Sequence, residues 1–294
     1  MEVIIGLGLL GALVIIELLL RAVIGFGNPV LYIKDAEIGY LLKPRQRVRR
    51  WGNRVIVNEY SMRNAPVAEL KTGLRILLLG DSVLNGGWWT DQDQTISAFL
   101  HRELPGAEIL NASANSWGPR NLAAYIARFG TFGADVVVVI LNTDDLFATA
   151  PTSVPVGCDR YYPERRPALA LIEALGRLIP YSPPRAMAVV NAEGGDRVAA
   201  NLQALQYIYT QAPRLIIALT PLWREVINQG YAYEKIARER LQTWSGQIVY
   251  VDFLPLFQKH QAPRQLYRDH IHLTPQGNRY VSGAIAEAIR QQLN

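Results

Sequence analysis

"ADVVVVILN", Ala134 to Asn142, decides the fold. Four valines, an isoleucine and a leucine in succession leave no polar side chain for either face of an extended chain. Such a run suits a strand buried on both sides, as in a parallel sheet covered by helices. Outward from it lie "RILLLG" (75–80), "AEILNAS" (from Ala107), "RLIIALT" (214–220) and "QIVYVD" (247–252). Each is a short apolar run bounded by breakers, which makes five expected strands. Helical patterns fall between and after them, over 95–104, 121–130, 197–211, 233–244 and 277–293. Alternating β and α segments imply an α/β domain with three α/β/α layers and a five-stranded parallel sheet. Ligands in such sheets bind at the carboxyl ends of the strands. The residues expected there are Asp81-Ser82, Asn111, Asn142, Thr220 and Asp252.

The chain has 294 residues, half of them hydrophobic and 19% charged. That composition suits one large domain with a sizeable core and excludes long disorder. Cys158 is the only cysteine, so an intrachain disulfide and a cysteine-based zinc site are both excluded. The thiol is expected to be buried. The net charge is +5, and Lys43, Arg45, Arg47, Arg49, Arg50 and Arg54 crowd one span. A solvated charged face is the plain reading. Contact with anionic lipid heads or with an acidic glycan are the alternatives. No basic surface is interleaved with aromatic residues, so nucleic acid is not an expected partner.

"VIIGLGLLGALVIIELLLRAVI", residues 3–24, is long and apolar enough to cross a bilayer as a helix. Glu17 and Arg21 lie four apart and share one face, where they can pair. A cleaved signal peptide fits poorly, because no basic region precedes the run and no clear cleavage site follows it. A retained membrane anchor is the expectation, and an amphipathic or buried helix is the alternative. The basic residues beyond it favour a cytoplasmic body. Residues 1–24 are thus expected as a transmembrane anchor, and 25–72 as a small β-rich extension with runs such as "NRVIVNEY". The main domain covers 73–294. Within it, 147–190 hold seven prolines and one short helix, and are either a lid over a site or an inert surface loop.

The strand "RILLLG" ends on Gly80-Asp81-Ser82, which reads either as a turn or as a strand delivering a serine to a site. A serine nucleophile needs a base, usually histidine, and donors for the oxyanion. His101 and His260 lie in polar surroundings. His272 follows Asp269 by three, which lets one carboxylate hold the imidazole in one tautomer. Thr274 and Pro275 then supply a helix start. Asp269, His270 and His272 could also ligate a metal, but no further histidine cluster completes such a site. No metal and no cofactor are expected.

Gly80-Asp81-Ser82 near the start of the domain, with Asp269-x-x-His272 before its last helix, resembles the SGNH (GDSL-type) hydrolase family from about Leu74 onward. The resemblance implies a flavodoxin-like fold, with Ser82 as nucleophile, His272 as base and Asp269 as its orienting acid. The family's second block places a glycine N–H at the oxyanion. Its register here falls on Ser116, with Gly118 two residues on. The third block normally places an asparagine after the third strand, but that register holds Asp144 and the glycine register holds Asn142. An ionised Asp144 would repel an oxyanion. Asn142 as a substitute donor, a protonated Asp144, and a slow or inactive protein are the three ways out; Asn142 is favoured, because residues 142 and 144 share a side if the strand continues. Trp88, Trp89 and Trp117 are candidate walls of a sugar or acyl pocket, or half-buried core.

The expected activity is that of a membrane-anchored serine esterase or acyltransferase. Its substrates would be small-molecule or glycan O-acyl esters, with acetyl groups on carbohydrate as the leading case. The alternatives are a catalytically silent domain that binds a glycan or scaffolds an envelope assembly, and a lipid-directed esterase. Anchored relatives imply a periplasmic body and the charge asymmetry a cytoplasmic one, so the side stays open.

Overall fold

The valine run forms a strand in which every residue is buried. The computed structural model describes residues 1–246 and 248–293, and Gln247, the expected first residue of the fifth strand, lies outside them. A helix α1 (Glu2–Leu19) continues as a π-helical stretch over Leu20–Ile24. Two antiparallel hairpins follow: β1 (Tyr32–Asp35) with β2 (Gly39–Leu42), and β3 (Gln46–Arg50) with β4 (Asn53–Val57). Next come β5 (Arg75–Gly80), the one-turn α2 (Ser82–Asn85), α3 (Ile96–Glu103), β6 (Glu108–Ser113) and α4 (Pro119–Phe129). The valine strand is β7 (Val136–Asn142), which ends in a 3₁₀ turn over Thr143–Phe147. The chain continues with α5 (Ala170–Leu178), α6 (Arg185–Asn191), α7 (Arg197–Gln211), β8 (Leu215–Thr220), α8 (Trp223–Val226) and α9 (Ala232–Trp244). Last are β9 (Val249–Asp252), α10 (Phe253–Lys259) and α11 (Pro275–Leu293).

Strands β5 to β9 form one five-stranded sheet in the order β6-β5-β7-β8-β9, and every pair in it is parallel. Successive side chains alternate between the faces of a strand, so the sheet builds two cores. Leu77, Leu79, Val137 and Val139 pack on one side with Leu122 of α4, Leu205 of α7 and Leu241 of α9. Ile76, Leu78, Val136 and Val138 pack on the other with Leu100 of α3, Phe257 of α10 and Ile285 of α11. The result is the expected three-layer α/β fold. Its strand order reverses at β5, which opens a crevice at the carboxyl ends of β5 and β7.

The two hairpins do not stand apart from the sheet. Tyr40, Leu42, Val48 and Val55 share the first core with Leu77 and Leu79. Two sequence expectations change. Asn111 lies inside β6 rather than at its end, where its amide donates to the Ser97 hydroxyl at 3.0 Å and the Leu84 carbonyl at 3.3 Å. The Cys158 thiol is exposed rather than buried, because the insertion that carries it runs over the surface.

Gly80 fixes how β5 delivers its end. A Cβ there would lie 2.7 Å from the Ile140 carbonyl oxygen and 2.9 Å from the Leu84 Cβ. Only a bare α-carbon lets α2 start so close to β7. Gly80→Ala is therefore expected to cost about 1–3 kcal/mol through overpacking, seen as a lower midpoint in thermal or denaturant melts. Gly283→Ala is the matched control, since a Cβ in that part of α11 meets nothing within 4 Å. It should raise stability by roughly 0.5–1 kcal/mol.

Candidate active site

Strand β5 carries its chain straight to Asp81 and Ser82. Asp81 caps α2 by accepting the Val83 N–H at 2.8 Å. Ser82 is the first residue of that helix, so its own N–H has no intrahelical acceptor. Its hydroxyl oxygen lies 2.9 Å from Nε2 of His272 and 3.1 Å from Oδ2 of Asp81. Nδ1 of His272 lies 2.8 Å from Oδ2 of Asp269. The structure thus brings Ser82, His272 and Asp269 into one hydrogen-bonded chain.

The loop that carries the pair is pinned at both ends. The Arg268 N–H donates to the His272 carbonyl at 2.8 Å, and Tyr267 bridges to Leu273. The Tyr267 hydroxyl donates to the Pro221 carbonyl at 2.6 Å. Thr274 caps α11 by accepting the Gly277 N–H at 3.2 Å. Asp269 also accepts the N–H groups of Ile271 and His272, at 3.0 and 2.8 Å. Burial pushes its carboxyl up, but those N–H donors and the imidazole outweigh burial and hold it below the usual range. An ionised Asp269 can fix Nδ1–H toward itself and leave Nε2 free to take a proton.

The residues after β7 are placed differently from the expectation. The strand stops at Asn142, so residues 142 and 144 do not share a strand face. The Asn142 amide donates to Asp81 at 2.9 Å and to Asp145 at 3.0 Å. Asn142 lines the cavity, but both of these amide bonds go to carboxylates and tie Asp81 to the 3₁₀ turn. Asp144 borders the cavity and lies 3.3 Å from the Arg224 guanidinium. Burial pushes the Asp144 carboxyl up, and Arg224 partly opposes it.

In the loop after β6, Ser116 adopts φ 57°, the left-handed region that favours glycine. Its backbone N–H donates to nothing among the described residues, and its hydroxyl accepts from Tyr162 at 2.8 Å. Gly118 caps α4, and its N–H is used by the Asn121 side chain at 3.0 Å. Trp117 is buried in the core and donates to the Tyr40 carbonyl at 3.1 Å, so it does not border the cavity. Trp88 and Trp89 do border it. Trp89 meets the His272 ring edge-on at 4.6 Å, and the Arg268 guanidinium lies 4.8 Å from the Trp89 ring. His270 lines the cavity, outside the hydrogen-bonded chain.

Three contributors carried no legible signal in their spacing. Arg63, fully buried in the segment after β4, donates to the carbonyls of Asn85, Gly87 and Thr90 and fixes the loop behind Ser82. Burial pulls its guanidinium down to about 9. Tyr162 comes from the 147–190 insertion. Asp145 accepts both the backbone N–H and the amide of Asn142. The cavity these elements enclose measures about 1420 Å³. Its walls include Tyr161, Tyr162, Glu173 and Arg177 of the insertion, so that segment covers the site.

The family model of the GDSL-like Lipase/Acylhydrolase family matches residues 78–280. No curated protein matches the sequence. Among solved structures, a member of the lipolytic protein G-D-S-L family from Veillonella parvula is similar at 13% identity and a TM-score of 0.48, over 74% of this chain and 98% of that one. The lipase/acylhydrolase from Enterococcus faecalis is similar at 12% identity and a TM-score of 0.49, over 75% and 97%. An acetylxylan esterase from Geobacillus stearothermophilus is similar at 13% identity and a TM-score of 0.46, over 76% and 96%.

Burial and the nearby Asp81 carboxylate push Asp145 well above its ordinary range. The folded chain therefore keeps a proton that the unfolded chain loses near pH 4. The stability from this group is fully present below that pH and declines as pH rises through the folded value. Asp145→Asn mimics the protonated acid. It should flatten the fall in melting temperature with pH relative to wild type, whereas parallel curves would contradict a protonated Asp145.

Proposed function

Since the chain belongs to the GDSL-like lipase/acylhydrolase family and is a serine hydrolase of ester bonds, we propose that Ser82, His272 and Asp269 carry out its chemistry on O-acyl esters. The observation that carries this reading is the 2.9 Å contact between the Ser82 oxygen and His272 Nε2. The hydroxyl has one proton and donates it to Nε2 as its oxygen attacks the ester carbonyl. The resulting imidazolium is balanced by Asp269. His272 then returns the proton to the leaving alcohol, and an acyl group stays on Ser82. Water completes hydrolysis, and a sugar hydroxyl in its place completes transfer.

The oxyanion is held by the N–H groups of Ser82 and Ser116. The helix start frees the first donor, and the left-handed turn at Ser116 supports the second. Asp144 stands in the register where the family carries a donating asparagine; it lies 3.3 Å from the Arg224 guanidinium, and an ionised carboxylate there opposes the oxyanion instead of donating to it. The acyl group is acetyl or similarly short, and the alcohol is carbohydrate. The indoles of Trp88 and Trp89, with the cavity's size, support a sugar-sized acceptor. The segment Val3–Ile24 is the only described helix long and apolar enough to cross a membrane, and it serves as the anchor.

Hydrolysis of a short acetyl ester should be abolished in Ser82→Ala, and equal activity in that variant would overturn the assignment. Asp144→Asn should raise kcat with little change in KM. A full oxyanion donor is worth about 10²–10³ in rate, and the gain approaches that range to the extent that Asp144 is ionised. An unchanged or lower kcat in Asp144→Asn would contradict an ionised Asp144 at the oxyanion.

A further inference from the structure

Helix α5 ties the insertion over the cavity to the end of α1. The Glu17 carboxylate accepts the N–H groups of Ala170 at 2.8 Å and Leu171 at 2.9 Å. α5 has no side-chain cap of its own, so an acid from the apolar segment performs that task. Arg21 pairs with Glu17 at 2.6 Å and also donates to the Ala168 carbonyl at 3.0 Å. Beyond α1, Glu173 of α5 accepts the Gly27 N–H at 2.8 Å and is paired with buried Arg50. The Trp51 N–H, at the tip of the β3–β4 hairpin, donates to the Ile24 carbonyl at 2.8 Å. The end of α1, α5 and that hairpin tip are thus fastened together.

The register sets their depth. Val3–Ile24 holds 22 residues, about 33 Å of helix, against an apolar bilayer core of about 30 Å. Glu17 lies seven residues before Ile24, roughly 10 Å along the helix. Interfacial helices bury their apolar faces by about 5–10 Å, so α5 is held at that depth. A carboxylate there is costly unless partnered, and the first turn of α5 with Arg21 supplies the partners.

The outer face of α5 matches. Ala170 is buried, while Leu169, Ile172, Leu175, Leu178 and Ile179 point outward, with Leu175 61% and Leu178 80% exposed. The Trp51 ring beside the anchor is 52% exposed, the position taken by interfacial tryptophans. The inner face of α5 supplies Glu173, Gly176 and Arg177 to the cavity wall.

We propose that the outer face of α5 and the tip of the β3–β4 hairpin lie in the lipid headgroup layer. The roof of the cavity is then a lipid-contacting surface, and the cavity lies beside the bilayer. The inference rests on α1 as a membrane anchor, and its consequence is an ester on a glycan held close to the membrane.

The test uses the full chain in lipid nanodiscs, in a Cys158→Ser background, with a fluorophore at single cysteines. Leu175→Cys and Trp51→Cys should be quenched by lipids bearing a nitroxide near the headgroup, several-fold more than Arg240→Cys on the body. Leu10→Cys, inside α1, reports the anchor separately by quenching from nitroxides deep in the acyl chains. Quenching at Leu10→Cys with none at Leu175→Cys overturns this inference and leaves the anchor standing. No quenching at either position overturns both. Circular dichroism of each labelled variant confirms the fold.

Discussion

The hydrogen bond between Ser82 and His272 joins residues 190 positions apart, and the account depends on it. One such bond contributes only about 1 kcal/mol net, far too little to bring two distant segments together. The sheet does that. β5 ends at Gly80, two residues before Ser82, with β7 and β6 flanking it in register, and Gly80 lets the chain turn into α2 against β7. His272 reaches the same rim because α11 packs on α3 and on the Ile76/Leu78 face of the sheet. The loop before α11 has its own backbone bonds to hold the ring. The hydrogen bond reads out a geometry that two cores impose.

The segments outside the sheet shape the same rim. Arg63 holds the loop after Ser82 through three carbonyls. The Tyr40 hydroxyl donates to the Asn115 carbonyl at 2.6 Å, and Tyr162 donates to Ser116, so β2 and the insertion both brace the loop after β6. Buried polar groups are costly unless satisfied; Arg63 and Tyr40 are satisfied by the backbone carbonyls they position, and Tyr162 by the Ser116 hydroxyl. The β-rich segment over 25–72 is therefore part of the site's support.

Much of this was legible in the sequence. Continuous apolar runs with flanking breakers mark strands buried on both sides, and the structure forms all five. The spacing of Asp269 and His272 before a Thr-Pro helix start gave the pair. What failed to read through depended on where the chain turns. Asn142 and Asp144 share a side only if β7 continues, and the 3₁₀ turn ends it at Asn142. Trp117 follows a cavity-lining residue yet points into the core, and Cys158 sits in a segment without helix or strand periodicity. Of the basic cluster, Arg50 is buried against Glu173 and Arg54 is paired with Asp91 and Asp93. Arg45, Arg47 and Arg49 are exposed. Long-range partners such as Glu173 and Arg63 leave no trace in local spacing, because only the fold brings them close.

The most direct test of the central claim is covalent labelling with a fluorophosphonate, followed by mass mapping of the modified peptide. The account predicts a single adduct on Ser82 that is lost, or slowed by orders of magnitude, in His272→Ala. An adduct on another residue, or undiminished labelling of Ser82 without the imidazole, would contradict it.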